Sequence, residues 1–232
     1  MEENDAGLNE SELGTKEYWV EHYKTEVENF KEYGDVGEIW FGNSTLRDVI
    51  KWFQSNSKVN HDEPIIDLGC GNGMTLINLA KLGYTNLTGV DYSQEAIDLA
   101  SSIMDGHQLS GIKYQVADLI SDNDVTTLGV FKAVFDKGTY DAISLSPNDA
   151  LTKRDAYRNN VCKLLMESGL FVITSCNWTE NELKHFFSNL SFVATIPSSK
   201  QFEFGGKVGS TTSTLVPSID WSHTPASDPL QV

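Results

Sequence analysis

Four aspartates, Asp67, Asp91, Asp118 and Asp136, each stand at or near the end of a short apolar run. The first opens the loop Asp67-Leu68-Gly69-Cys70-Gly71-Asn72-Gly73. Glycines there let the backbone turn sharply and let a ligand approach with no Cβ in the way. The fingerprint of a dinucleotide site is G-x-G-x-x-G, with the pyrophosphate on a helix N-terminus. This loop is G-x-G-x-G instead, with a carboxylate two residues before its first glycine. A carboxylate so placed repels a pyrophosphate and suits a positively charged ligand. Asp91 follows the glycines by about 20 residues, where an acid accepts from ribose hydroxyls. S-adenosylmethionine, with a sulfonium, an ammonium and no phosphate, satisfies both conditions. A glycine loop taken alone is equally a tight connection that holds nothing.

Positioning these residues takes alternating strands and helices. Tyr18, Trp19, Tyr23, Val27 and Phe30 recur at helical steps that Gly34 ends, and Leu46, Val49, Ile50 and Phe53 give a second helix. After Pro64, strands are expected at 65–68, 86–90, 113–117, 131–135 and 170–175. Helices are expected at 74–82, from Ser93 through Ile103, at 149–166 and at 179–190, where Thr179 and Glu182 form a capping box. Two strands at 192–196 and 210–216 follow with no helix between them. The pattern is α/β, a doubly wound, mostly parallel sheet with an antiparallel hairpin at one edge. In such sheets ligands bind beyond the carboxyl ends of the strands, where the four acids lie. Pro217 has no N–H for a ladder and is expected to truncate the last strand unless it lies at an edge.

The chain has 17 Lys and Arg against 33 Asp and Glu, a net charge of −16, and 40% hydrophobic residues. That is a folded globule, and the charge excludes a non-specific nucleic-acid binder. It suits a cationic or basic-protein partner, or serves solubility alone. Residues 1–63 hold 15 of the 33 acids and six of the 17 bases. Cys70, Cys162 and Cys176 form neither a CxxC pair nor a zinc pattern, so no disulfide and no metal is expected. The acidic start lacks a signal-peptide pattern and no apolar run reaches membrane-spanning length, so no membrane association is expected. The expected divisions are a disordered acidic terminus at 1–13, a helical or lid segment at 14–63, a catalytic domain at 64–216 and a divergent tail at 217–232.

The glycine loop together with Asp67, Asp91 and Asp118 resembles the class I seven-strand methyltransferases. Longer stretches narrow this: Gly14-Thr15-Lys16-Glu17-Tyr18-Trp19, Gly34 through Gly42, Asp136-Lys137-Gly138-Thr139-Tyr140-Asp141-Ala142-Ile143, and Thr174-Ser175-Cys176-Asn177-Trp178-Thr179. In this order they resemble the lysine methyltransferases of translation elongation factor one-alpha, also called the methyltransferase-like protein ten group. The resemblance implies a Rossmann-like fold, S-adenosylmethionine as cofactor, and methylation of a lysine of that factor in the cytoplasm, with the nucleus as the alternative compartment. It implies Gly69, Gly71 and Gly73 beside the methionine moiety, Asp91 on the ribose, and Asp118 with neighbouring Leu119 at the adenine. Asp67, Trp40 and Tyr92 complete the expected cofactor set.

A lysine amine has a reference pKa near 10.4 and must be held and deprotonated before it can attack. Asp136 is the expected orienting carboxylate, with Tyr140 and Trp178 as aromatic partners. The structural alternatives are that Asp136 pairs with Lys137 or caps the Gly138 turn, and that both aromatics are core. Trp40 and Phe41, bracketed by glycines, serve either as a lid or as an anchor. Asn177 has an undecided partner, Cys176 reads as packing, and the glycine-containing stretch 200–209 is either a solvated loop or a substrate contact. Other activities stay open: methylation of another protein or a small molecule, or a scaffold that holds cofactor without turnover. Asp136-Lys137-Gly138-Thr139 departs from the Asn/Asp-Pro-Pro-aromatic signature of base methylators. A monomer is expected.

Overall fold

A computed structural model describes residues 8–204 and 207–219. The expected acidic terminus through residue 7, the pair Gly205-Gly206 and the tail from Asp220 lie outside the described residues. A 3-10 turn, Glu12–Gly14, precedes α1 (Lys16–Tyr33). Thr15 opens that helix by accepting the Tyr18 N–H, and Gly34 closes it at φ +71°. The side carrying Trp19, Tyr23, Val27 and Phe30 packs into a core shared with Leu46, Val49, Ile50 and Phe53 of α2 (Gly42–Asn56).

Strands and helices then alternate through β1 (Ile65–Leu68), α3 (Met74–Lys81), β2 (Leu87–Asp91), α4 (Gln94–Gly106), β3 (Ile112–Val116), α5 (Asp122–Thr126) and β4 (Phe131–Lys137). After β4 come α6 (Thr139–Ser144), α7 (Ala150–Leu164), β5 (Leu165–Ser175), α8 (Glu180–Phe186) and β6 (Ser191–Thr195). A hairpin of β7 (Gln201–Phe204) and β8 (Lys207–Ser210) leads to β9 (Ser213–Ser218). Ser93 caps α4 by accepting the Ala96 N–H, and Thr179 with Glu182 forms the expected capping box on α8.

Seven strands make one sheet in the order β3-β2-β1-β4-β5-β9-β6, with β7 and β8 apart from it. The first five are parallel, and β9 runs antiparallel to both neighbours. The chain lays β1, β2 and β3 outward in one direction and returns to set β4 against the other side of β1. A crevice opens at this reversal, beyond the carboxyl ends of the strands. Alternation along each strand feeds two cores, because successive side chains point to opposite faces. Ile65, Ala133 and Phe135 join the face covered by α1 to α4, whereas Ile66, Leu68 and Val134 join the face covered by α6, α7 and α8.

Four features differ from the sequence expectation, the first being that the stretch 200–209, read as a loop, carries the β7–β8 hairpin. α5 and α6 are each too short to display a helical period. In β5, Leu165 pairs with Phe131 and Leu170 with Ala133, so residues 166–169 leave the ladder, with Ser168 at φ +54°. Pro217 does not end the last strand, although β9 lies between β5 and β6 and not at an edge. It pairs with Phe192 where the β6 register shifts before Ala194, so Val193 is an extra residue opposite it. A bulge is where a sheet tolerates a residue with no N–H to donate.

Beyond Pro217, Ile219 is buried and its carbonyl accepts the Ser168 N–H at 3.1 Å. Ending the chain at Val216 removes that burial and that bond, about 2–4 kcal/mol. The thermal midpoint is expected to fall by on the order of 10 °C. A melting curve unchanged from the full chain would show the segment to be passive.

Candidate functional site

The crevice contains a cavity of about 250 Å³. Its walls come from the 3-10 turn, the start of α1, Trp40 and Phe41, and the segments that follow β1 to β5. Of the residues expected at a cofactor, Trp40, Gly69, Asp91, Tyr92, Asp118 and Leu119 line it. Asp67, Gly71 and Gly73 do not, and neither do Asp136, Tyr140 and Trp178.

The glycine loop explains part of that division. Gly69, Gly71 and Gly73 all have positive φ, at +62°, +53° and +73°. A Cβ on Gly71 would lie 2.4 Å from the Tyr23 hydroxyl, and one on Gly73 would lie 2.3 Å from that of Tyr114. These two glycines are therefore required by close protein packing as well as by dihedral angle, and neither lines the cavity. Asp67 sits beneath the loop at 2% exposure. Burial pushes its carboxyl up to about 7, with the Lys137 ammonium and the Thr75 hydroxyl acting in the opposite direction.

Asp91, at the end of β2, ties the loop in place. Its Oδ2 accepts the Gly71 N–H at 3.1 Å and its Oδ1 accepts the Ser93 N–H at 3.0 Å. Burial raises this carboxyl to about 6, opposed by those N–H groups and by Lys16. Beside it, the Tyr92 hydroxyl donates to the Thr15 carbonyl, and Lys16 Nζ lies 5.4 Å from the Tyr92 ring centre. Beyond β3, Asp118 accepts the Ile120 N–H at 3.1 Å, with Leu119 and Ile120 as apolar wall. Apolar side chains beside a strand-end acid suit a purine, and Asp91 with Tyr92 suits a ribose.

Trp40 and Phe41 close the side facing α1. Asn72 Nδ2 donates to the carbonyls of Val36 and Glu38 at 3.0 and 3.1 Å, so the glycine loop itself pins the segment that carries them. Phe41 is held at φ +63° and its ring lies over Gly138, where an added Cβ would come within 3.2 Å. The Trp40 indole packs edge-on to Trp19 at 5.2 Å, and its N–H is buried with no acceptor. That orphaned donor and the carboxylates of Asp91, Asp118 and Asp141 fit a ligand that combines positive charge with acceptor groups. Among the described residues, no group of three or more His, Cys, Asp and Glu is arranged to hold a metal ion.

The expected catalytic carboxylate is spent elsewhere. Asp136 is 1% exposed; it accepts the N–H groups of Thr139 and Tyr140 at 2.8 and 3.0 Å and the Tyr157 hydroxyl at 2.5 Å. It thus caps the turn at Gly138 and does not line the cavity. Tyr140 accepts from Arg154 Nε at 3.1 Å, and Trp178 stacks on the Arg154 guanidinium at 4.4 Å with its N–H on Ser144. Both aromatics are core, as their structural alternative held. Sequence reasoning passed over Lys16, Lys137, Asp141, Ser146 and Lys153 in the wall. Asp141 carried a usable signal, since it falls in the first turn after a strand-end glycine inside one of the quoted motifs.

A sequence profile described as a methyltransferase domain matches residues 60–213. Human EEF1A lysine methyltransferase 2 is 44% identical over 213 residues, covering 91% of this chain and 89% of its own. Protein-lysine N-methyltransferase EFM4 of Saccharomyces cerevisiae is 38% identical, covering 89% and 94%. Among solved structures, the N-methyltransferase NodS of Bradyrhizobium japonicum with bound S-adenosyl-L-homocysteine superposes with a TM-score of 0.62 at 15% identity, covering 87% and 98%. That likeness concerns the fold alone.

Replacing Asp91 by Ala is expected to weaken S-adenosylmethionine binding roughly 10- to 100-fold, the value of hydrogen bonds to a charged acceptor. The ionised carboxylate is the form that accepts, so affinity should be full above about pH 6 and lost as pH falls through it. Titration calorimetry from roughly pH 8 to pH 5 checks this, and a flat dissociation constant refutes it. Asp136→Ala leaves three buried donors unpaired and should cost about 2–4 kcal/mol in urea unfolding. A wild-type midpoint would contradict its capping role.

Proposed function

We infer the function from one premise: the chain belongs to the methyltransferase-domain family and, within it, to the group formed by EEF1A lysine methyltransferase 2 and EFM4. On that premise it is an S-adenosylmethionine-dependent protein-lysine N-methyltransferase whose substrate is a lysine of translation elongation factor one-alpha. The observation that carries this is identity of 38–44% across about nine tenths of the chain, which extends past the domain shared with other methyltransferases into α1 and the Trp40–Phe41 cover.

The cofactor supplies an electrophilic methyl carbon bonded to a positively charged sulfur. For their part, Asp91 and Tyr92 hold the ribose, and Asp118 with Leu119 and Ile120 receives the adenine. Gly69 and the Lys137-Gly138-Thr139 turn form the floor between β1 and β4, where the reacting centre belongs. Trp40 and Phe41 keep water from it. Aligning a nucleophile behind a leaving group supplies much of the rate of an in-line displacement. We further propose a cytoplasmic, monomeric enzyme that makes no direct nucleic-acid contact; the net charge of −16 supports the last point. Residues 14–63 are proposed to act as the cover of the domain that follows.

Incubating the purified chain with methyl-labelled cofactor and purified elongation factor one-alpha is expected to place label on a lysine of the factor, located by mass spectrometry. Label confined to other proteins or to small molecules, or a chain that binds cofactor but transfers nothing, would overturn the reading.

A further inference from the structure

We propose that Asp141 is the carboxylate that receives and orients the substrate's ε-amine, a role that rests on the lysine-methyltransferase reading above. Asp91, Asp118 and Asp141 are the carboxylates that line the cavity. Sheet order separates them: Asp118 follows β3 and Asp91 ends β2, while Asp141 follows β4 on the other side of Gly69. A cofactor whose adenosine lies over β3 and β2 presents its methyl group toward β4. The incoming nitrogen then approaches from the side of β4 and β5, where the acid is Asp141.

The side chain is built for a fixed orientation. It projects from the first turn of α6, is 6% exposed, and is clamped by β5: the Ser175 hydroxyl donates to Oδ1 at 2.5 Å and the Cys176 N–H to Oδ2 at 2.8 Å. A carboxylate offers about four lone-pair sites, so roughly two remain for a ligand. Asn177 and Cys176 border it in the wall. Asp136, five residues earlier, uses its oxygens on three protein donors and has no face in the cavity.

The step balances as follows. The substrate ammonium docks by donating to Asp141 and loses one proton to water. The neutral amine keeps an N–H on the carboxylate while its lone pair forms the N–C bond, and the C–S bond breaks with its electron pair left on sulfur. Positive charge thereby moves from sulfur to nitrogen, toward Asp141. A carboxylate already oriented there stabilises the transition state more than the ground state.

The test is Asp141→Asn in the full-length chain. The amide has the same shape and its oxygen still accepts the Cys176 N–H, while the Ser175 oxygen, already accepting the N–H groups of Asn177 and Trp178, gains no bond from its NH2, so the fold is retained with a modest loss of stability. Turnover on elongation factor one-alpha is expected to fall roughly 100-fold. The dissociation constant for S-adenosylmethionine should stay within about twofold and the melting midpoint should fall by no more than on the order of 5 °C. As a second variant, Asp141→Glu keeps the charge but displaces the carboxylate by one methylene, and should lower kcat about tenfold with cofactor binding intact. Turnover within about threefold of wild type in Asp141→Asn, or a loss matched by equal weakening of cofactor binding, overturns the proposal. Wild-type chain that fails to methylate the factor sinks the functional reading itself and takes this proposal with it, an outcome seen before any variant is compared.

Discussion

A buried carboxylate must find donors, and here the donors are the backbone N–H groups of the loops that leave the strands. Asp91 takes two of them, Asp136 two and Asp141 one, and half-buried Asp118 takes one more. Burial raises the carboxyls of Asp91 and Asp136 to about 6 and about 7, which records the cost of holding charge there. The loops cannot shift without leaving such a group unpaired, a loss of several kcal/mol at each. Rigid loop geometry at the carboxyl ends of β1 to β5 is thus a consequence of where the acids lie. The cavity inherits its shape from that geometry.

The strand-end aspartates consequently do two kinds of work that look alike in a sequence. Asp91 and Asp118 hold their loops and still border the cavity, whereas Asp136 holds its loop and is sealed off. What separates them is the depth of the following turn. Tyr157, from the middle of α7, reaches beneath the sheet end to donate to Asp136, and Tyr140 closes over it. No spacing rule contains that contact, because it joins residues 21 apart through the packing of a helix on a sheet.

The alternation of strands and helices, the caps at Ser93 and Thr179, and the Asp91 position were legible because each depends on neighbours within a turn or on the pleat. Gly71 and Gly73 were legible as glycines but not as to cause, since Tyr23 and Tyr114 meet them from distant segments. Pro217 was misjudged for a related reason: its tolerance is supplied by an extra residue on the neighbouring strand. Asp141 was passed over because α6 is a six-residue helix with no period to display, although its place just after Gly138 marked it. Local chemistry therefore gave the frame, and contacts across the chain decided which acids face the cavity.

The turn before α1 is seated on parts of the chain made much later. Ser11 N–H donates to the Leu145 carbonyl at 3.1 Å, Leu8 packs among residues of the far core, and Gly14 leaves room for the Leu145 carbonyl where a Cβ would come within 2.3 Å. During synthesis that seat does not exist until α6 has emerged, well over a hundred residues after Gly14. A segment made before the domain is thus seated only after it, and the cavity gains its final wall only when the domain behind it has formed.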